Sequence, residues 1–369
     1  MKVFLVGVGA AGNKAVVEAV ERRVVDVEDT CIVNSTTKDF PSSYKGKKIC
    51  LSDSNTGCGK ERSVAKNLII EAIGGGKLNI NLNEYITVCV VTSVEGGTGS
   101  GSAPIIAKFF NEVMNKNVHI IAFTGFEEDV RGLSNTVEFF KEIGPNIVVQ
   151  TISNASYLPK SGNNRVKAES MANAELADRI EVISGKKFIP GKQNIDDTDI
   201  LKLSNTAGYM IVSKKEFGKP LETRDDFERI IKNMIYNNSS IRTDDSAARL
   251  GVILNISPES EDAIDFMFES LRKAYGSPYE FFKQEQYDGN KEYIAFIASG
   301  LKMPIDEVKA IYDRYKEQSE KVNKASDSFF MELKNMKTLS EDSKFDMIKE
   351  EKSGTSVASF LDQLKGGKE

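Results

Sequence analysis

Residues 96–101 read Gly-Gly-Thr-Gly-Ser-Gly, set between the apolar run Ile86–Val91 and the segment Ala103-Pro104-Ile105-Ile106-Ala107. No other stretch limits the fold so tightly. Gly96, Gly97, Gly99 and Gly101 let the main chain turn sharply and approach a ligand with no Cβ in the way. Thr98 and Ser100 add hydroxyl groups. Pro104 suits the first turn of a helix, where its missing N–H costs nothing. A strand, a glycine loop and a helix start, in that order, make a cradle for a phosphate: free N–H groups and the positive end of the helix dipole face the anion. A merely flexible loop rarely combines this glycine density with such flanks.

The start of the chain carries a second loop of this kind. Val3–Val6 is a short apolar strand, and Gly7-Val8-Gly9-Ala10-Ala11-Gly12 turns into Asn13-Lys14-Ala15-Val16-Val17. The pattern G-x-G-x-x-G is by itself a weak signal for a dinucleotide site. Such a site also wants Asp or Glu at the end of the second strand, to hold ribose hydroxyls. Here the second strand, Cys31-Ile32-Val33, ends in Asn34-Ser35-Thr36-Thr37 with no carboxylate. A nicotinamide-dependent oxidoreductase would also leave 96–101 without a task. Two phosphate-type loops suit a mononucleotide triphosphate gripped from two sides.

Apolar strands near 3–6, 31–33, 86–91, 118–123 and 147–153 alternate with helical stretches near 12–22, 61–73, 103–115 and 134–143. That alternation predicts an α/β fold whose parallel sheet has helices on both faces and ligand loops at the carboxyl ends of its strands. A connecting helix follows near 163–184. Val166, Met171, Ala174, Ala177 and Ile180 are expected on one face, with Asp178 and Glu181 in solvent. Strands at 209–212, 248–256 and 292–298, with helices near 225–236 and 259–275, predict a smaller mixed α/β domain. A helix of some thirty residues is expected after Pro304, with Val308, Ile311, Tyr312, Tyr315, Val322, Phe329, Phe330 and Leu333 toward a core. The expected divisions are a nucleotide-binding domain 1–162, a connecting helix 163–185, a second domain 186–302, a helix 303–337 and a tail 338–369.

The 369 residues carry a formal net charge of −5, which disfavours direct binding of nucleic acid. Cys31, Cys50, Cys58 and Cys89 are scattered with no C-x-x-C pair, so neither a zinc site nor a disulfide framework is indicated. Reduced thiols in a cytoplasmic protein are the expectation. No apolar run approaches the roughly 20 residues that span a bilayer, and the chain begins directly on a strand with no signal peptide in view. His119 is the only histidine, which argues against a histidine triad and for a structural role. Lys60 and Arg62 follow Gly59, either as phosphate contacts or as a basic first turn.

These motifs resemble, in order along the chain, those of the tubulin/FtsZ superfamily of filament-forming GTPases. Gly96–Gly101 fits that family's G-G-T-G-[ST]-G signature, and Gly7–Asn13 is similar to its first nucleotide loop, with Asn13 toward the guanine. Asn34-Ser35 stands where the family has Asn-Thr. Gly57-Cys58-Gly59 resembles the Gly-Ala-Gly near the γ-phosphate. Phe126-Glu127 with Arg131 is similar to the segment near ribose and base, although a simple Glu127–Arg131 ion pair is the alternative. Asn154 matches an Asn near the sugar, and Asn173 the connecting-helix residue under the guanine ring. Asn194-Ile195-Asp196-Asp197-Thr198-Asp199 matches the Asn-x-Asp-x-x-Asp synergy loop. Glu95, Thr36 and Gly125 depart from the family's usual Gly, Asp and Pro.

The resemblance implies GTP or GDP with Mg2+ as ligands and a head-to-tail filament of the chain with itself. It also implies hydrolysis completed when Asn194, Asp196 and Asp199 of one subunit reach the next subunit's nucleotide. The long C-terminal helix and compact tail look most like the TubZ-type plasmid and phage tubulins, which position DNA. An FtsZ-like division role and a non-hydrolysing scaffold stand as alternatives. In the tail, Val357, Phe360, Leu361 and Leu364 share a helical face that would dock on a neighbouring subunit or a DNA-binding adaptor. No membrane partner is expected.

Overall fold

Val3–Val8 forms β1, and its residues alternate between two cores: Phe4, Val6 and Val8 face one side, Val3 and Leu5 the other. Burial on both faces is why this strand reads as a continuous apolar run. In the computed structural model, residues 1–335 are described except 127–128, 219–223, 244, 258–262 and 290. Glu127 and the tail at 338–369, with Val357, Phe360, Leu361 and Leu364, lie outside the described residues.

The strands β2 (Thr30–Asn34), β3 (Lys47–Cys50), β4 (Thr87–Ser93), β5 (Asn117–Thr124), β6 (Val148–Ser153), β7 (Gly208–Glu216), β8 (Arg249–Asn255), β9 (Glu280–Gln286) and β10 (Tyr293–Leu301) join β1 in one sheet. Its order is β3-β2-β1-β4-β5-β6-β7-β10-β8-β9. β1 to β6 run parallel, and β7 continues the sheet through only two rungs, Val148↔Gly208 and Val149↔Tyr209. β10 is antiparallel to both β7 and β8, while β9 lies parallel to β8 at the far edge. Helices α2 (Arg62–Gly74), α3 (Gly97–Lys108) and α4 (Val130–Lys141) contribute to the core on one face. α1 (Gly9–Glu21), α5 (Arg165–Ser184) and α6 (Asp197–Ser204) cover the other. α7 (Arg224–Tyr236) and α8 (Ala263–Tyr275) pack beside the second half of the sheet. This is the expected α/β architecture.

Residues 1–320 form one compact unit, and a second unit comprises 321–369. α9 spans Ile305–Asn335, and within the first unit Ile311 packs with Leu133 and Val137 of α4, flanked by Tyr312 and Tyr315. Val308 lies against the main core, whereas Val322 is exposed. The side chains of Phe329, Phe330 and Leu333 are outside the described residues.

Three expectations need correction. Pro104 does not start its helix: α3 begins at Gly97 and holds Pro104 in its interior. A proline there leaves the carbonyl four residues earlier without its N–H partner. The Arg62 guanidinium donates to that carbonyl, Ser100 O, at 3.0 Å, and is itself held by Glu142 at 2.7 Å. Arg62 is therefore engaged within the fold and not presented to a ligand. Glu181 is not in solvent either: it is 8% exposed. Lys214 of β7 donates to it at 2.6 Å and to Glu216 at 2.9 Å. Burial works against the Lys214 charge, but these carboxylates outweigh it and hold the ammonium above its usual pKa. Asp178, in the same cluster, is pushed up to about 6 by burial, with Lys214 pulling the other way. Val166, expected on the buried face of α5, is 76% exposed, and Ala168, Ala172, Leu176 and Ile180 form that face instead.

His119 is fully buried in β5, its Nε2 2.9 Å from Asn205 Oδ1 and its Nδ1 without a partner. An amide oxygen only accepts, so Nε2 carries the proton of a neutral ring. Burial lowers its pKa from 6.5 to about 4, against the opposing Asn205 bond. A folded pKa below the unfolded one means that the neutral ring's contribution is complete above the unfolded value and drains away as pH falls toward the folded one. Urea unfolding across that window should reveal a loss of up to about 1.4 kcal/mol per pH unit from this residue. In His119→Gln that part of the slope should disappear.

Candidate functional site

β1 and β4 are adjacent and parallel, with Val8 opposite Thr92, so the helices that follow them start side by side at the carboxyl edge of the sheet. The two glycine loops touch: a Cβ on Gly9 would lie 3.0 Å from Gly99 N. Gly9 has φ +75, which L side chains rarely adopt. Neither α1 nor α3 has a side-chain N-cap or an acidic residue in its first turn. By contrast α4, α5 and α6 are capped by Asp129, Asn164 and Asp196. The orphan N–H groups and positive dipole ends of α1 and α3 thus start side by side with no acidic residue in either first turn to satisfy them.

The residues expected at this edge are placed as follows. Gly7 ends inside β1, while Ala10 and Ala11 are exposed in the first turn of α1. Gly12 is pressed to the sheet, where a Cβ would meet Val91 O at 2.1 Å. Asn13 is fully buried, and neither Oδ1 nor Nδ2 has a hydrogen-bond partner. Buried amides are seldom left so, and with its side chain closed off beneath the first loop Asn13 is not presented to a ligand as expected. Asn34 closes β2 and donates to Asp39 at 3.4 Å, while Ser35 Oγ sits 3.0 Å from Thr98 Oγ1. Asn154 follows β6 and donates its main-chain N–H to Thr124 O at 3.0 Å. Asn173 is half-buried in α5. The Arg165 guanidinium lies 5.3 Å from the Phe126 ring centroid.

A third loop closes the site. Gly57 and Gly96 have open space where a Cβ would stand, whereas Cys58 is buried. Lys60 pairs with Asp129 at 2.5 Å, and Arg131 pairs with Glu61 at 2.6 Å. The hydrogen bond from Lys60 holds the Asp129 carboxyl below its usual pKa. Gly97 packs on the Lys60 main chain, where a Cβ would come within 2.8 Å. Asn135 of α4, 3% exposed, donates to Lys60 O at 3.1 Å and to Glu95 O at 3.0 Å. Sequence reasoning misses Asn135 because a helical asparagine carries no local signal of the carbonyls it will meet. The departures at 95 and 125 prove to be spatially coupled. The Glu95 carboxylate occupies the space beside Gly125 that any Cβ there would fill.

Asn194, Asp196 and Asp199 are not brought to this edge. Asn194 accepts from Gly191 N at 2.8 Å, and Asp196 accepts from Asp199 N at 2.8 Å as the N-cap of α6. Asp199 is half-buried in the first turn, and Asp197 pairs with the Met1 amino group at 3.1 Å. Met1 precedes β1, and Asn205, at the end of α6, bonds to Thr87 and His119 near the starts of β4 and β5. The acidic loop therefore stands at the amino edge of the sheet. The six residues of β1 put roughly 20 Å between the two edges. Among the described residues no group of three or more His, Cys, Asp or Glu is placed to hold a metal ion. No described helix is long and apolar enough to cross a membrane.

No known family model matches the chain. It is 24% identical over 259 residues to the cell division protein FtsZ of Wigglesworthia glossinidia brevipalpis, a match covering 68% of this chain and 65% of that one. Among solved structures, the TubZ of Clostridium botulinum phage c-st is similar with a TM-score of 0.65 and 16% identity. That match covers 87% of this chain and 99% of the TubZ chain. The CetZ2 of Haloferax volcanii, solved as a GTPγS-bound protofilament, gives a TM-score of 0.72 at 16% identity. It covers 88% of this chain and 100% of the other. The chain therefore shares the fold of these tubulin-like proteins over nearly the whole of both solved chains, and its sequence is similar to that of a cell division protein FtsZ.

Proposed function

We propose that the chain binds GTP between its glycine loops, assembles head to tail, and hydrolyses the nucleotide at the subunit interface. The observation that carries this reading is the separation of the acidic loop from the glycine loops, on opposite edges of one sheet. One chain cannot close the two on a single γ-phosphate, whereas head-to-tail stacking brings the amino edge of one subunit to the carboxyl edge of the next. The CetZ2 relative, a protofilament with GTPγS, supports this arrangement.

Each part has its task. The N–H groups at the starts of α1 and α3 hold phosphate oxygens, Asn154 and Asn173 offer amides to the base and sugar, and Asn13 supports the first loop from beneath. Asn34 borders the same pocket, and the loop at 57–59 closes over the terminal phosphate. Mg2+, held chiefly through the nucleotide's own phosphates, would supply charge neutralisation there. Asp199, with Asp196 and Asn194, orients and polarises the attacking water from the neighbouring subunit. Arg131 acts through Glu61, positioning the third loop. Binding energy at the interface thus assembles the hydrolytic site.

The cellular reading follows the structural likeness to a phage TubZ: a cytoplasmic, cytomotive filament that partitions or positions plasmid or phage DNA through an adaptor. An FtsZ-like division role is the second reading, favoured by the FtsZ relative. Purified protein should retain guanine nucleotide and exclude ATP and NADH. Its turnover per subunit should rise steeply above a threshold protein concentration, with filaments under the electron microscope in GTP. Equal affinity for ATP, or turnover independent of concentration, overturns the proposal.

A further inference from the structure

The segment that carries Asn194, Asp196 and Asp199 is not a free loop. Its approach, residues 187–195, lies flush against β9: a Cβ on Gly191 would sit 1.9 Å from Glu285 O. Lys192 N donates to Glu285 O and Glu285 N donates to Gln193 O, each at 3.0 Å, so the segment pairs with β9 as a short antiparallel bridge. Two glutamines of β9 then reach across. Gln284 Nε2 donates to Ile189 O at 2.8 Å, and its Oε1 accepts from Ile195 N at 2.7 Å. Gln286 Nε2 donates to Lys187 O at 3.0 Å, and its Oε1 accepts from Ile189 N at 2.9 Å. Gln284 also donates to Gln286 Oε1 at 3.0 Å, which ties the pair together. Both are buried, at 1% and 4% exposure. Burying two primary amides is costly unless their groups are paired. Here each amide bonds the main chain of one segment, and that segment leads within a residue to Asp196.

We propose that Gln284 and Gln286 are positioning residues for hydrolysis. They clamp the main chain at Lys187, Ile189 and Ile195, and so fix where Asn194, Asp196 and Asp199 meet the neighbouring subunit's nucleotide. The assignment rests on the interface-hydrolysis reading above. Its physical logic is that of a catalytic group carried on a segment: small errors in the segment's path reach the reacting atoms undiminished. The edge strand supplies rigidity that the segment lacks by itself.

The test uses the full chain with GTP. Gln284→Met and Gln286→Met keep side-chain volume while removing the clamp bonds. Turnover per polymerised subunit should fall about tenfold or more. GTP affinity of the unassembled protein and sedimented polymer should stay unchanged, while the main-chain groups left unpaired lower the unfolding temperature by a few degrees without unfolding the chain at assay temperature. Gln284→Met/Asp199→Ala should show the same residual rate as Asp199→Ala, because one acts through the other. Unaltered turnover in both glutamine variants, or losses that add in full to that of Asp199→Ala, overturns the assignment. So does a loss that merely tracks reduced polymer or the fraction of chain unfolded at assay temperature. As a measurement that needs no variant, amide exchange at Ile189 and Ile195 in the unsubstituted chain should be as slow as in the sheet; exchange at loop rates overturns the clamp. Turnover absent from the unsubstituted chain would overturn interface hydrolysis itself, and this assignment with it. Turnover present but indifferent to the glutamines overturns the clamp alone.

Discussion

Replacing Asp199 with alanine should lower GTP turnover by about a hundredfold or more while leaving nucleotide binding and sedimentable filaments intact. The magnitude is that of losing a group that aligns or activates a water in the transition state. The selectivity comes from placement. Asp199 lies at the amino edge of the sheet, remote from the glycine loops of its own chain, so its removal cannot disturb nucleotide held there. Static, long-lived filaments are the expected phenotype. Asp196 needs a different substitution, because its carboxylate caps α6 through Asp199 N. Asp196→Ala would lose the cap, about 1 kcal/mol, together with any chemistry. Asp196→Ser retains a capping oxygen and isolates the chemical role. Phosphate release measured beside sedimentation decides the matter. Wild-type turnover in Asp199→Ala would mean that this segment does not complete the site.

Gly12→Ala should destabilise the fold by about 3 kcal/mol and abolish nucleotide binding, whereas Gly96→Ala should weaken binding with little change in stability. A Cβ at Gly12 would meet Val91 O at 2.1 Å, main chain against main chain, where no rotamer relieves the overlap. α1 would have to lift from β4, and its N-terminus would leave the site. At Gly96 nothing lies within 4 Å of the added atom. Its cost falls on whatever ligand occupies that open space. Urea unfolding paired with titration of a fluorescent GTP analogue separates the two. Equal stability loss in both variants would mean that the open space beside Gly96 is not the ligand's.

Much of this site is legible in the order of the amino acids. The glycine loops declare themselves because close main-chain approach demands residues without Cβ, and the contacts at Gly12, Gly97 and Gly99 are such approaches. The first-half strands read well because burial on both faces makes them continuously apolar. β9 does not, since Glu280–Gln286 is polar and its buried positions are glutamines. β3 also escapes notice, being an edge strand with only Ile49 buried. α6 hides inside the acidic motif, whose Asp196 doubles as its cap. The expected start of α3 falls too late because glycine and an internal proline both argue against helix. The Gly97 contact with the Lys60 main chain, the Gly101 contact with α2 and the Arg62 bond to Ser100 O overrule them.

The sequence by itself determined the order of the apolar strands and the main helices, the places where main chain must come close, and the chemical type of the glycine loops. Those properties follow from local sterics and from apolar periodicity, which act over a few residues. Only the tertiary structure decided that Glu181 is buried under Lys214, that Asn13 is left without a partner, and that two glutamines brace the acidic segment. It alone set the glycine loops and the acidic loop on opposite edges of the sheet. Charges and amides are satisfied by whichever groups arrive from distant elements, so their fate depends on how strands stack and helices cross, and no window of sequence contains that information.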